Sequence, residues 1–234
     1  MSDADAPQGS TRPPVPVSAS AFVSSLDRFA ISPLLVLIAT DLGATLAQSL
    51  AIASAYYLAY GLSQPVWGVL SDRFGRIRLM RATLLAAAVA GAVSALAPGL
   101  VTLVIARACA GAFFGAVVPA SLTYVGDTVA EAHRQPALAD LMAAIAVGTA
   151  LATALAGILG DVVHWRLVFA LPAVLAVACA VGLGRLHEAA REVPAGALAT
   201  LAGALAIEAA AILTYDIRLA EAARAHGLEV VAPE

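Results

Sequence analysis

Three ionised side chains, Asp27, Arg28 and Arg107, lie inside long apolar runs. A charge in hydrocarbon costs about 3 kcal/mol on insertion scales, so it is kept where it meets a cavity or a partner. A carboxylate can take up and release a proton, whereas a guanidinium stays charged and offers five N–H donors. Arg107 has apolar residues 101–106 before it and 108–120 after it, which puts it deep in its run. It faces a site of chemistry or bonds to backbone carbonyls. Asp27 and Arg28 come only a few residues after their run begins. For them two placements are open: a cavity or partner inside the membrane, or snorkelling at the interface. A second cluster lies in Gly68-Val69-Leu70-Ser71-Asp72-Arg73-Phe74-Gly75-Arg76-Ile77-Arg78, with Arg81 just beyond. It reads as a short hinge between two apolar runs. Gly68 and Gly75 permit close backbone approach, and Gly75 a turn with positive φ. Asp72 can accept N–H groups at a helix start or pair with an arginine.

The elements that must position these groups are membrane helices. Of 234 residues 61% are hydrophobic and 12% are charged, with mean hydropathy +0.89. A soluble domain is about a quarter charged, so the chain is an all-α membrane protein. Six runs reach the ~20 residues that a ~30 Å hydrocarbon core demands: 20–40, 47–70, 80–97, 100–125, 137–159 and 165–184. Their connections are residues 41–45, the arginine hinge, 97–99, 126–136 and 161–164. Alternating sides puts Arg12, Arg73, Arg76, Arg78, Arg81, Arg134, Arg185 and Arg191 together and leaves only Arg166 opposite. That asymmetry predicts a cytoplasmic N-terminus. Trp165 then suits the outer aromatic belt and Trp67 the inner one. Residues 1–17 are acidic and Pro-rich, with no basic stretch ahead of an apolar core, and read as a disordered cytoplasmic tail rather than a signal peptide. Cys109 and Cys179 sit in apolar runs and read as buried apolar residues. Pro65, Pro119 and Pro172 read as tolerated kinks. Gly148, Gly157 and Gly160, with Thr149 and Thr153, offer close helix packing in the fifth run.

The hinge spacing G-x-L-S-D-R-x-G-R-x-R resembles the loop between spans two and three of the major facilitator superfamily, and the likeness covers residues 18–186. It implies a six-transmembrane-helix half of a fold made of two such halves, each a 3+3 inverted repeat around a midplane cavity. Within that family the drug and sugar efflux branch is the nearest in pattern. The resemblance implies that Asp27 is the proton-linked group of an antiporter and Arg28 its partner or a phosphate anchor. Arg107-Ala108-Cys109-Ala110-Gly111 resembles the R-x-x-x-G element of span four, whose arginine influences proton transfer, although Ala110 stands where many relatives carry glutamine. The fifth run keeps glycines but lacks the proline of the antiporter element. The implied partners are a small-molecule substrate, protons, the plasma-membrane bilayer, and either a homodimer mate or a separate second half. No cofactor, metal or nucleic acid is implied, and no enzyme activity.

Residues 187–234 depart from this pattern. Residues 195–213 are long enough for a seventh span but are mostly alanine around Glu208. The alternative is a strand ending at Asp216, an amphipathic helix over 217–226 and a second strand over 228–232. That order resembles the C-terminal end of a PIN-domain ribonuclease. Asp216, Glu208 and Glu221 are too few and too scattered for its metal site, so a remnant without nuclease activity is expected, on a transporter cut to its N-terminal half.

Overall fold

The computed structural model describes residues 11–162, 164–186, 188, 211–213 and 229–231. Its helices are α1 (Val15–Phe29), α2 (Ile31–Asp41), α3 (Leu46–Phe74), α4 (Arg76–Ala95), α5 (Leu100–Phe114), α6 (Val117–Thr128), α7 (Glu131–Val162) and α8 (Trp165–Leu183). They form six rods, because α1–α2 and α5–α6 are each one rod with a break. Pro33 lies four residues after Phe29, and Pro119 four residues after Gly115. A proline lacks the N–H for the carbonyl four residues earlier and its ring crowds that carbonyl, so the helix gives way there. The first rod bends by 44° at this point. Pro65 and Pro172 lie within unbroken helices. Of the kinks expected in the sequence, Pro119 coincides with one, and the largest bend belongs to Pro33.

Four stretches (Arg76–Ala95, Leu100–Thr128, Glu131–Ile158 and Trp165–Leu183) are long and apolar enough to cross a membrane, and the bent α1–α2 pair is a fifth. The remaining rod, α3, has 29 residues, about 43 Å at 1.5 Å per residue. It is long enough but less apolar, since it carries Gln48, Ser49, three tyrosines, Ser63 and Gln64. Ser49, Tyr56 and Tyr60 are buried against the other rods, which is how a polar helix is tolerated among apolar ones. Two expected boundaries move. The hinge shrinks to Gly75, the single residue between α3 and α4. The connection placed at 126–136 shrinks to Val129 and Ala130, because α6 runs on to Thr128 and α7 begins at Glu131.

The closest helix pairs are α1 with α7, α3 with α5, and α4 with α8. Numbered as rods, these are one with five, two with four, and three with six. Exchanging rods 1–3 for rods 4–6 maps the first pair onto the second and the third onto itself. The two proline-broken rods, one and four, also exchange. This is the contact pattern of an inverted repeat. The core between the rods holds Ile31, Leu34, Ile52, Tyr56, Leu84, Leu103, Phe114 and Phe169. The outward surface is equally apolar, with Val36, Leu58, Leu62, Val69, Val89, Ile105, Ile158 and Val174 all more than half exposed. Such a surface suits hydrocarbon rather than water. The chain is an integral membrane protein.

Side-chain clamps tie the rod ends and fix their alternation. At one end Asp41 accepts from Trp165 Nε1 at 2.9 Å and from Arg166 Nη1 at 3.0 Å, while Arg166 Nη2 donates to the Ala97 carbonyl at 2.9 Å. Trp165 is therefore a buried strut between rods one and six, not an interfacial anchor. Trp67 likewise donates to the Ala112 carbonyl and packs on Phe113. Cys179 is buried as expected, but Cys109 is exposed, because its side of α5 turns outward.

The chain divides into two compact units, Met1–Ala189 and Ala190–Glu234. In the second, β1 (Ala211–Leu213) pairs in parallel with β2 (Glu229–Val231), with Ile212 opposite Val230. The seventh span considered over 195–213 lies mostly outside the described residues, and its last three residues are this strand. The expected helix over 217–226 and Asp216 also lie outside them.

Candidate functional site

Asp27 and Arg107 meet in the middle of the helix bundle. Asp27 lies on the core-facing side of α1, one turn after Val23 and Ser24, and Arg107 on the matching side of α5. Arg107 Nη1 donates to both carboxylate oxygens of Asp27, at 2.9 and 3.1 Å. The side chains are 0% and 1% exposed, so the pair is withdrawn from solvent. Arg107 Nε donates at 2.9 Å to Ser94 Oγ of α4, whose own hydroxyl donates to the Ala90 carbonyl. The guanidinium also lies 4.4 Å from the ring centre of Phe169 and 5.8 Å from that of Tyr56. Nη2 alone has no hydrogen-bond partner. One buried cation thus joins rods one, three and four and keeps the two N–H donors of Nη2 in reserve.

The surrounding backbone is drawn in to make this possible. A Cβ on Gly111, one turn beyond Arg107, would strike the Tyr56 carbonyl. A Cβ on Gly148 of α7 would come within 2.5 Å of the Phe22 carbonyl of α1, and one on Gly160 within 2.9 Å of Leu34 and Leu37. Gly157 faces open space and so does not serve the close packing expected of it. Ser24 Oγ donates across to the Phe114 carbonyl, a second tie between α1 and α5.

Arg28 is not the partner of Asp27. Both Asp27 oxygens are taken by Arg107, and Arg28 packs elsewhere. Its guanidinium lies 4.5 Å from the centre of the Phe29 ring and 5.0 Å from that of Tyr60.

The arginine hinge is built differently from the loop expected there. Gly68, Asp72 and Arg73 belong to the last turns of α3, and Gly68 faces open space rather than another backbone. Gly75 makes the joint at φ 97°, ψ 150°, a conformation that favours glycine. Asp72 does not cap the following helix. It pairs with Arg76 at 3.3 Å, and Arg76 Nε lies 2.8 Å from Asp127 at the end of α6. The first N–H groups of α4, on Ile77 and Arg78, donate instead to Glu188, at 3.0 and 3.3 Å. A carboxylate at a helix N-terminus satisfies orphan donors and complements the dipole. Arg81 Nε donates to the Ala180 carbonyl. Arg73 stacks on its neighbour Phe74.

Sequence reasoning missed Ser94, Asp127 and Glu188. Ser94 is one serine in an alanine-rich helix and carries no signal of its own. Asp127 and Glu188 sit near the ends of rods four and six, on the side predicted for the arginines. A count of acidic residues at that end would have found them.

A family model described as Major Facilitator Superfamily matches residues 17–219, and so continues past the boundary at 186 drawn from the sequence. A multidrug export protein, EmrB of Haemophilus influenzae, is 29% identical over 153 residues, covering 65% of this chain and 30% of the relative. The multidrug efflux pump LfrA of Mycolicibacterium smegmatis is 32% identical over 146 residues, covering 62% and 29%. A triacylglyceride transporter of the same organism is 32% identical over 167 residues, covering 68% and 29%. The chain spans under a third of the length of these curated relatives. Among solved structures, the proton:xylose symporter XylE superposes with TM-score 0.67 at 16% identity over 75% of this chain and 44% of that one. A peptide transporter gives 0.67 at 20% identity, over 89% and 45%. The helix pairing, the inverted repeat and the extent of the family match agree: the chain belongs to the major facilitator superfamily of membrane transporters.

Proposed function

We propose that this unit is the N-terminal six-span half of a proton-coupled exporter of small molecules, with Asp27 as the proton-linked group. The buried Asp27–Arg107 pair carries the reading. A carboxylate held by a guanidinium inside the bundle is a two-state element. While Asp27 is ionised, the pair ties rod one to rod four. Protonation removes the negative charge, weakens both hydrogen bonds and leaves Arg107 to find another acceptor. If the substrate-loaded conformation keeps the pair and the proton-loaded one opens it, the two ligands bind in alternation, which is exchange. The export and efflux in the names of the relatives favour outward transport.

A second six-helix unit, another copy or a separate partner, would complete the midplane cavity. The N-terminus and the arginine end are assigned to the cytoplasm on the charge asymmetry. Residues 187–234 are read as a nuclease-like remnant, a reading supported by the parallel pairing of β1 and β2, since parallel strands need a crossover between them.

The test is dye uptake into inverted membrane vesicles energised by an imposed proton gradient, comparing the chain with Asp27→Asn and Arg107→Ala. Uptake that collapses in both variants at equal membrane insertion supports the reading. Uptake unaffected by either substitution refutes proton coupling through the pair. No uptake above empty vesicles leaves a six-helix scaffold instead of a transporter.

A further inference from the structure

We infer that Arg28 anchors the anionic headgroup of the substrate, and that the substrate is an amphiphilic organic carboxylate. The inference rests on the transport reading for the identity of the occupant, and goes beyond it in naming the chemical class.

Arg28 is in the last turn of α1, two residues before Ala30, where the first rod bends by 44°. The negative end of the helix dipole makes this a favourable place for a cation. The side chain is half-buried. Its Nε is fully enclosed yet has no hydrogen-bond acceptor, and among the described residues no carboxylate pairs with it. Asp27 and Arg107 neutralise one another, so the three charges together leave one net positive charge at Arg28. The guanidinium carbon lies 4.5 Å from the centre of the Phe29 ring and 5.0 Å from that of Tyr60, contacts that engage its charge without satisfying its Nε donor. The Tyr57 hydroxyl donates to the Arg28 carbonyl at 3.2 Å, securing a backbone group beside the break. Tyr57 itself is 38% exposed, and Arg28 and Phe29 are half-buried.

A cation packed against two aromatic rings inside a span, with no carboxylate paired to it among the described residues, is costly unless something negative visits it. A single guanidinium fork matches a carboxylate, two parallel N–H donors to two oxygens. A phosphate dianion would call for further donors that these rings do not offer. The aromatic rings provide the apolar contact that the body of an amphiphile needs.

The test is equilibrium binding, with no proton gradient, to the full chain in phosphatidylcholine nanodiscs. The probe is the fluorescent acid dansyl-undecanoate, with its uncharged methyl ester as control. The acid should bind more tightly than the ester. Arg28→Gln should weaken the acid about ten- to a hundredfold, the size of one lost charge-assisted hydrogen bond, and leave the ester unchanged. Arg28→Lys should restore part of the loss. Thermal melts of the variants at the wild-type temperature establish that the fold is kept. Equal binding of acid and ester, or wild-type affinity for the acid in Arg28→Gln, overturns the inference. So does displacement of the probe by phosphatidylglycerol in the disc but not by unlabelled undecanoate, which would make Arg28 a lipid-headgroup site. Failure of proton coupling in Asp27→Asn vesicles is a separate result and leaves this binding experiment to stand or fall alone.

Discussion

Breaking the Asp27–Arg107 pair from its two sides should destabilise the protein unequally. Removing one partner of a buried ion pair costs about 3–5 kcal/mol, because the other charge is stranded. The two stranded groups differ. In Arg107→Met the carboxyl left behind can bind a proton and become neutral, which limits the cost. In Asp27→Leu the guanidinium cannot deprotonate. It keeps the Ser94 hydroxyl and the Phe169 ring, while Nη1 joins Nη2 as an unused buried donor. Asp27→Leu should therefore lie at the upper end of that range and Arg107→Met at or below its lower end. At roughly 2–4 °C per kcal/mol for a domain of this size, Asp27→Leu should lower the melting temperature by roughly 10–20 °C. The double variant replaces the pair by apolar groups and should recover much of the loss. The assay is thermal unfolding in detergent, followed by near-ultraviolet circular dichroism on all four proteins. Additivity of the two substitutions within about 0.5 kcal/mol would mean that the groups do not interact. A larger loss in Arg107→Met than in Asp27→Leu would refute the reasoning from desolvation.

Four further outcomes are expected. Gly148→Ala pushes a Cβ against the Phe22 carbonyl and should cost about 1–3 kcal/mol by overpacking, whereas Gly157→Ala, which meets nothing, should be neutral or stabilising by up to about 1 kcal/mol; paired melts decide it. Glu188→Ala strips the cap from α4 and should cost about 0.5–2 kcal/mol, with Glu188→Gln losing less, read by the same melts. A cysteine replacing the exposed Arg78, in a chain with Cys109 and Cys179 changed to alanine, should react in intact cells only with reagents that cross the membrane; labelling from outside would reverse the orientation. Deleting residues 195–234 should leave membrane insertion unchanged, as read by carbonate extraction, and loss of insertion would contradict the remnant reading.

What could be read in the sequence was position along the membrane axis. Apolar run lengths gave the rods, and the glycine- and arginine-rich stretch at 68–78 placed a turn between two of them, which the structure narrows to Gly75. What could not be read was rotation about each helix axis. Asp27 and Arg28 are adjacent in sequence and look interchangeable, yet one faces Arg107 and the other two aromatic rings. Gly148 and Gly157 look alike in the fifth run, yet only the first meets a backbone. Trp165 has the composition of an interfacial anchor and becomes a strut because Asp41, 124 residues away, accepts its N–H. Glu188 caps α4 through N–H groups 110 and 111 residues earlier in the chain, a pairing that local sequence does not encode. The break in the first rod was legible in principle at Pro33, since the lost bond is always four residues upstream.

Exchange of a proton on Asp27 for substrate is tested most directly by loading inverted vesicles to an acidic interior, following the gradient with a quenched pH-sensitive dye, and adding transported substrate. Substrate should collapse the gradient with the wild-type chain and with Gly157→Ala, and not with Asp27→Asn at equal insertion. Collapse of equal size with Asp27→Asn would contradict proton exchange at this carboxylate.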